Sequence, residues 1–123
     1  MKDFFEIKDR PWLLESEYFF VIEDGYPVSP GHCLIISKSS AQTFFDLDDD
    51  EKRELNFIID QTKAYIEERH EADGFNIGMN CGSAAGQTVM HFHCHLIPRY
   101  KGDTNDPRGG VLYLPIGSKP YSR

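Results

Sequence analysis

The chain has 123 residues, with 13 Lys plus Arg against 20 Asp plus Glu, for a net charge of −7. That length suits one domain with a modest core, and the acidic balance argues against a nucleic-acid surface, which needs a basic patch. No apolar run approaches a membrane span, and MKDFFEIKDRP is too charged for a secretory leader, so a cytoplasmic protein with no membrane partner is expected.

Glu17 to Asp24, EYFFVIED, is rich in aromatic and β-branched residues and reads as a strand. Gly25 to Gly31, GYPVSPG, holds two prolines and two glycines and reads as a loop. His32 to Lys38, HCLIISK, is a short apolar strand, so the two strands make an antiparallel pair. Leu47 to His70 is the one clear helix, with Leu55, Ile58, Ile59, Thr62, Tyr65 and Ile66 at helical spacing. Asp48 followed by Glu51 resembles a capping box, so the acidic run is read as a helix start rather than a metal site. Gly74 to Asn80 reads as a strand, Cys81 to Gln87 as a loop of small residues, and Thr88 onward as a second strand stopped by Pro98. A glycine-bearing loop between two strands indicates a hairpin. From about residue 101 the tail is irregular, with Val111 to Ile116 as a further short strand. The expected fold is α+β: one domain over 1–123, an antiparallel sheet with the main helix inserted between hairpins. Cys33, Cys81 and Cys94 form no C-x-x-C pair and are read as free thiols.

The stretch MHFHCHLI places His91, His93 and His95 on alternate positions. On a strand they share one face, with neighbours about 6–7 Å apart. Three readings compete. In the structural one, three imidazoles each need a partner if buried. In the metal one, His91 and His93 hold an ion and need a third ligand from another element, for which His32 is the candidate; His70 lies at a helix end with no clear route. In the third, one neutral imidazole is a nucleophile at phosphorus. Its other nitrogen then needs an acceptor to fix the tautomer, and a neighbour must offset phosphoryl charge. The loop ahead of the strand brings backbone N–H groups toward a phosphate, and Gln87 and Thr88 are placed to donate to a leaving-group oxygen. The third reading alone uses loop, strand and small residues together.

GQTVMHFHCHLIPR resembles the signature of the histidine triad (HIT) superfamily of nucleotide hydrolases and transferases. The similarity extends over most of the chain, through DGYPVSPGHCLIISK and GFNIGMNCGSAAGQT. With KGD following, it is nearest the fragile-histidine-triad branch and related small bacterial proteins, which the tail resembles more. The resemblance implies that His93 is the nucleophile, His91 orients it and His95 contacts phosphate. It places Gln87 and Thr88 near the leaving group, Asp24 at the ribose, Asn80 facing the phosphates and His32 near the nucleoside. Phe19, Ile22 and Leu34 are candidates for an apolar slot around the base. Ser40 stands where the phosphoramidase branch has a fourth histidine, which favours cleavage of a dinucleoside polyphosphate. The expectations are therefore a nucleotide hydrolase acting at the α-phosphate through a nucleotidyl-histidine, a purine nucleotide substrate, and a homodimer paired through the central helix and a strand. No bound cofactor or protein-held metal is expected; Mg²⁺ would arrive with a polyphosphate. Nucleotidyl transfer, phosphoramidase activity and a binding module without turnover are the alternatives.

Overall fold

The computed structural model describes residues 9–109, so the strand expected at Val111 to Ile116 lies outside the described residues. Among the described residues, five strands, β1 (Leu14–Glu15), β2 (Phe19–Glu23), β3 (Cys33–Ser37), β4 (Gly74–Gly78) and β5 (His93–Arg99), form one sheet with one α-helix, α1 (Asp49–Glu67), packed on one face. The sheet order is β1-β2-β3-β5-β4, and every neighbouring pair is antiparallel. The two expected hairpins, β2–β3 and β4–β5, are joined where β3 meets β5, and α1 connects them in sequence.

The helix begins where its cap dictates. Asp48 is extended and accepts from the Glu51 N–H at 2.8 Å, while Glu51 accepts from the Asp48 N–H at 2.9 Å. This capping box satisfies two donors that an unpaired helix start would leave bare. The apolar stripe Leu55, Ile58 and Ile66 then packs on Phe19, Val21, Cys33, Ile35, Cys94 and Leu96. The opposite face of the sheet carries Phe20, Ile22, Leu34 and Ile36, joined by Val89. Both faces of β2 and β3 are thus covered, which is why their sequences read as continuous apolar runs rather than alternating ones. Among the described residues no helix is long and apolar enough to cross a membrane.

Four features depart from the sequence reading. Strand β1 has two residues, too short for any periodicity to show; its turn into β2 is held from α1, where Glu54 accepts from the Ser16 hydroxyl at 2.7 Å and the Tyr18 N–H at 2.6 Å. A short 3₁₀ turn, Ser83–Ala85, sits in the segment read as loop, and another, Phe44–Asp46, sits in the stretch between Lys38 and Leu47, to which the sequence reading assigns no element. Strand β5 starts at His93 rather than Thr88, because the chain before it crosses to the segment after β3, with the Phe92 N–H donating to the Ala41 carbonyl at 2.8 Å. Pro98 does not stop the strand; it pairs with Phe75 of β4. Its carbonyl faces the other edge and accepts from the Ser29 hydroxyl at 2.5 Å. The missing N–H faces that same edge, beyond the last β3 pairing at Cys33–Leu96, so no ladder bond is lost.

Cys33, Cys81 and Cys94 are free, and burial pushes the Cys33 and Cys94 thiols up to about 12, leaving them protonated core residues. The loop between β2 and β3 is locked to the far end of the sheet by Gly31. Its φ is +94°, and a Cβ there would lie 2.9 Å from His70 Cδ2 and 3.2 Å from Pro98 Cγ. Gly31→Ala is expected to cost about 1–2 kcal/mol from the left-handed backbone alone, and more from the His70 contact. Thermal unfolding of the variant checks this, and an unchanged midpoint would refute it.

Candidate functional site

Pleating decides which histidines stand together. On β5, His93 is opposite Ile36 of β3 and His95 is opposite Leu34, so both project from the face that α1 does not cover. Their rings meet edge to face with centroids 5.3 Å apart. His91 precedes the strand in a bend, and its Nε2 lies 2.7 Å from the Ser37 carbonyl oxygen. The expectation of three histidines on one strand face therefore holds for two of them; the third is turned onto β3.

The His93 ring has one settled proton. Its Nδ1 is 2.9 Å from the His91 carbonyl oxygen, and a carbonyl only accepts, so Nδ1 donates. In the neutral ring the other nitrogen, Nε2, then carries a lone pair. Burial lowers the His93 pKa below its ordinary value and so favours that neutral form. His91 thus orients the candidate nucleophile through its backbone, not its imidazole. His95 is pushed down to about 3, first by burial and then by His93 and His32. Burial likewise lowers His32, with Asp24 opposing the shift. A neutral imidazole with a bare nitrogen beside a second neutral imidazole is suited to nucleophilic attack on phosphorus without a preceding deprotonation.

The other expected residues separate into groups. His32 and Asp24 are at the site: His32 Nε2 lies 2.9 Å from His95 Nδ1 and 3.3 Å from Asp24 Oδ2. Asp24 also closes the turn after β2, accepting from the Tyr26 N–H at 2.8 Å, so its turn role is present as well. Ile22 and Leu34 are a cross-strand pair on the histidine face but are buried, forming its floor. Phe19 is not at the site. It is buried in the core beneath α1, on the opposite face from His93. Phe19 and Ile22 are three residues apart on one strand, and an odd spacing puts them on opposite faces. The residue that shares the face is Phe20, covered by Trp12 with ring centroids 4.2 Å apart. Strand parity pointed to Phe20; nothing in the sequence pointed to Trp12, because β1 is too short to read.

Gln87 also differs from its expected part. Its Nε2 donates to the Gln42 carbonyl at 2.7 Å and the Val89 carbonyl at 3.0 Å, and its Oε1 accepts from the Gly82 N–H at 2.7 Å. Both donors are taken, so Gln87 shapes the loop ahead of His93 and has no N–H left for a leaving group. Thr88 is exposed on that loop, and Asn80 is exposed just past β4.

The set considered for a metal, His91 and His93 with His32, is not what the fold assembles. Among the described residues the ligand atoms that converge are those of Asp24, His32 and His95, all within 4.8 Å of one another. The 2.9 Å contact between His32 Nε2 and His95 Nδ1 is a hydrogen bond, so a metal there has to displace its proton.

Three histidines held neutral make stability depend on pH with a definite sign. Their folded pKa values lie below the unfolded value of about 6.5, so below that pH the unfolded chain binds more protons than the folded one. Stability is expected to be fully present above about pH 7 and to fall as the pH drops from about 6.5 toward 4, by up to about 1.4 kcal/mol per pH unit for each histidine. Urea unfolding at stepped pH measures this; a flat profile between pH 7 and 5 would contradict it.

The sequence matches the HIT domain family over residues 6–102. It is 37% identical to a bis(5'-adenosyl)-triphosphatase of Dictyostelium discoideum over 76% of this chain and 67% of that protein. It is 35% identical to an AP-4-A phosphorylase of Mycobacterium tuberculosis over 81% of this chain and 53% of that protein. The chain spans 60% and 62% of the length of two HIT-like relatives from Mycoplasma. Among solved structures, a HIT family protein from Bacillus anthracis superposes with a TM-score of 0.70 at 35% identity, covering 75% of this chain and 65% of that one. A sheet with one main helix, two histidines on the face away from that helix and a third orienting the first, together with these matches, establish that the chain belongs to the HIT domain family.

Proposed function

We propose that this protein is a nucleotide hydrolase that cleaves a dinucleoside polyphosphate, or a related substituted nucleoside phosphate, at its α-phosphate. The observation that carries the reading is the 2.9 Å contact from His93 Nδ1 to the His91 carbonyl, which leaves Nε2 with a lone pair on the face that α1 does not cover. His93 Nε2 attacks the α-phosphorus in line, a P–N bond forms, and the bond to the leaving oxygen breaks. A polyphosphate leaves as an anion and needs no strong acid at neutral pH. Water then attacks the nucleotidyl-His93 adduct, releases the nucleoside monophosphate and restores the imidazole. The purine lies over the floor built by Ile22 and Leu34, beside the Trp12 ring that covers Phe20, with its ribose toward Asp24, and Thr88 and Asn80 line the phosphate side. No step requires a protein-held metal; Mg²⁺ arrives with the polyphosphate. The relatives named as a triphosphatase and a phosphorylase support this class of substrate.

The phosphorylase relative favours one second reading, transfer of the nucleotidyl group from His93 to inorganic phosphate. The first half-reaction is common to both, and the acceptor alone differs. A homodimer is also proposed, paired along β4, which ends the sheet with Ile77 about half exposed.

His93→Ala is expected to lower turnover of diadenosine tri- and tetraphosphate by at least about a thousandfold. Intact-mass analysis of wild-type protein quenched in alkaline denaturant should show a nucleotidyl adduct absent from the variant. Comparable turnover by the variant would end the proposal. With diadenosine tetraphosphate, hydrolysis gives AMP and ATP whereas transfer to phosphate gives ADP and ATP, so product analysis with and without phosphate separates the two. Because burial lowers the His93 pKa, the acid limb of kcat/KM is expected below pH 6.5. A limb above pH 7 would mean that His93 is protonated at rest.

A further inference from the structure

We propose that His32 is a positioning residue that fixes the proton of His95, so that His95 presents an N–H where His93 presents a lone pair. The argument starts from a group whose polarity is beyond choice. The Val28 N–H donates to His32 Nδ1 at 3.2 Å, and a backbone N–H only donates. His32 Nδ1 therefore holds a lone pair, and the neutral ring carries its proton on Nε2. That Nε2–H points at His95 Nδ1, 2.9 Å away, with Asp24 Oδ2 at 3.3 Å as a second acceptor. His95 Nδ1 must accept, so the neutral ring carries its proton on Nε2. His93 has the reverse arrangement, set by the His91 carbonyl. Two fixed backbone groups, one donor and one acceptor, thus dictate opposite proton placements on two adjacent rings.

The loop that holds Val28 is anchored for this purpose at two points on or near β5. Ser29 donates to the Pro98 carbonyl at 2.5 Å, and the Tyr100 hydroxyl donates to the Pro30 carbonyl at 2.7 Å. Protonating His32 would set an Nδ1–H against the Val28 N–H, and burial of His32 opposes it as well. The charged and titratable groups facing the pair are Asp24 from the end of β2 and His93 on β5.

The role given to the His95 N–H, donation to a non-bridging phosphate oxygen as His93 attacks, rests on the phosphoryl chemistry proposed above. The tautomer itself does not, and the experiment reads the two separately. Long-range ¹H–¹⁵N correlation of the histidine rings in the free protein at pH 7.5 should show His95 with a protonated Nε2 and a bare Nδ1, and His93 with the reverse. His32→Gln, which keeps an acceptor and a donor on one side chain, should retain the His95 pattern. His32→Leu should give a mixture of His95 tautomers. With diadenosine triphosphate, His32→Leu should lose about tenfold or more in kcat with KM within about twofold, and His32→Gln should recover most of it. His95 protonated on Nδ1 in the wild type overturns the proposal, as does an unchanged Nε2–H in His32→Leu. A wild-type protein with the assigned tautomers but no nucleotide turnover keeps the positioning role and removes the hydrolase reading instead. Stoichiometric zinc in the purified protein, with His32 Nε2 and His95 Nδ1 both bare, also overturns it.

Discussion

Strand β5 is hydrogen-bonded along both edges, to β3 on one side and β4 on the other, and the site depends on that double pairing. A strand held on both sides cannot slip by one residue without turning every side chain to the wrong face. Cys94 and Leu96 are locked into the core under α1, so His93 and His95 are locked onto the opposite face. The same burial that fixes their direction strips water from the imidazoles and holds them neutral. Placement and chemical state have one cause.

Around this strand the loops supply polarity rather than shape alone. The His91 carbonyl and the Val28 N–H each give a histidine ring a partner that the sheet backbone does not supply, and the Gln87 amide does the same for the loop backbone. Buried polar groups without partners are costly, so each loop is held near one conformation. Gln87 shows this most clearly, since all its side-chain hydrogen bonds go to backbone, two within its own loop and one tying that loop to Gln42 after β3. A residue near a reaction centre can serve it by holding a neighbouring backbone still.

The nucleotide chemistry proposed for this HIT domain leaves its second step open. The relatives include a triphosphatase and a phosphorylase at similar identity. A nucleophile that forms a covalent adduct separates departure of the first group from choice of the second. In the mechanism proposed above, the histidine face accounts for the first event, and access of water or phosphate to the adduct decides the other.

By itself the sequence determined the α+β class, the helix and its Asp48–Glu51 cap, two hairpins and the strand that carries the histidines. These follow from periodicity and local hydrogen bonding, which act over a few residues. Alternation also marked the histidine row and, through its likeness to the family signature, His93 as the central member. Tertiary structure decided what depends on neighbours distant in the chain. Phe20 rather than Phe19 lies on the histidine face, because register between strands sets which parity is buried under α1. His91 leaves the strand because residues 87–92 are drawn toward Ala41 and Gln42. Pro98 stays in the strand because β3 has already ended beside it. The protons on His93 and His95 were settled last, by a carbonyl and an N–H whose positions only the folded loops define.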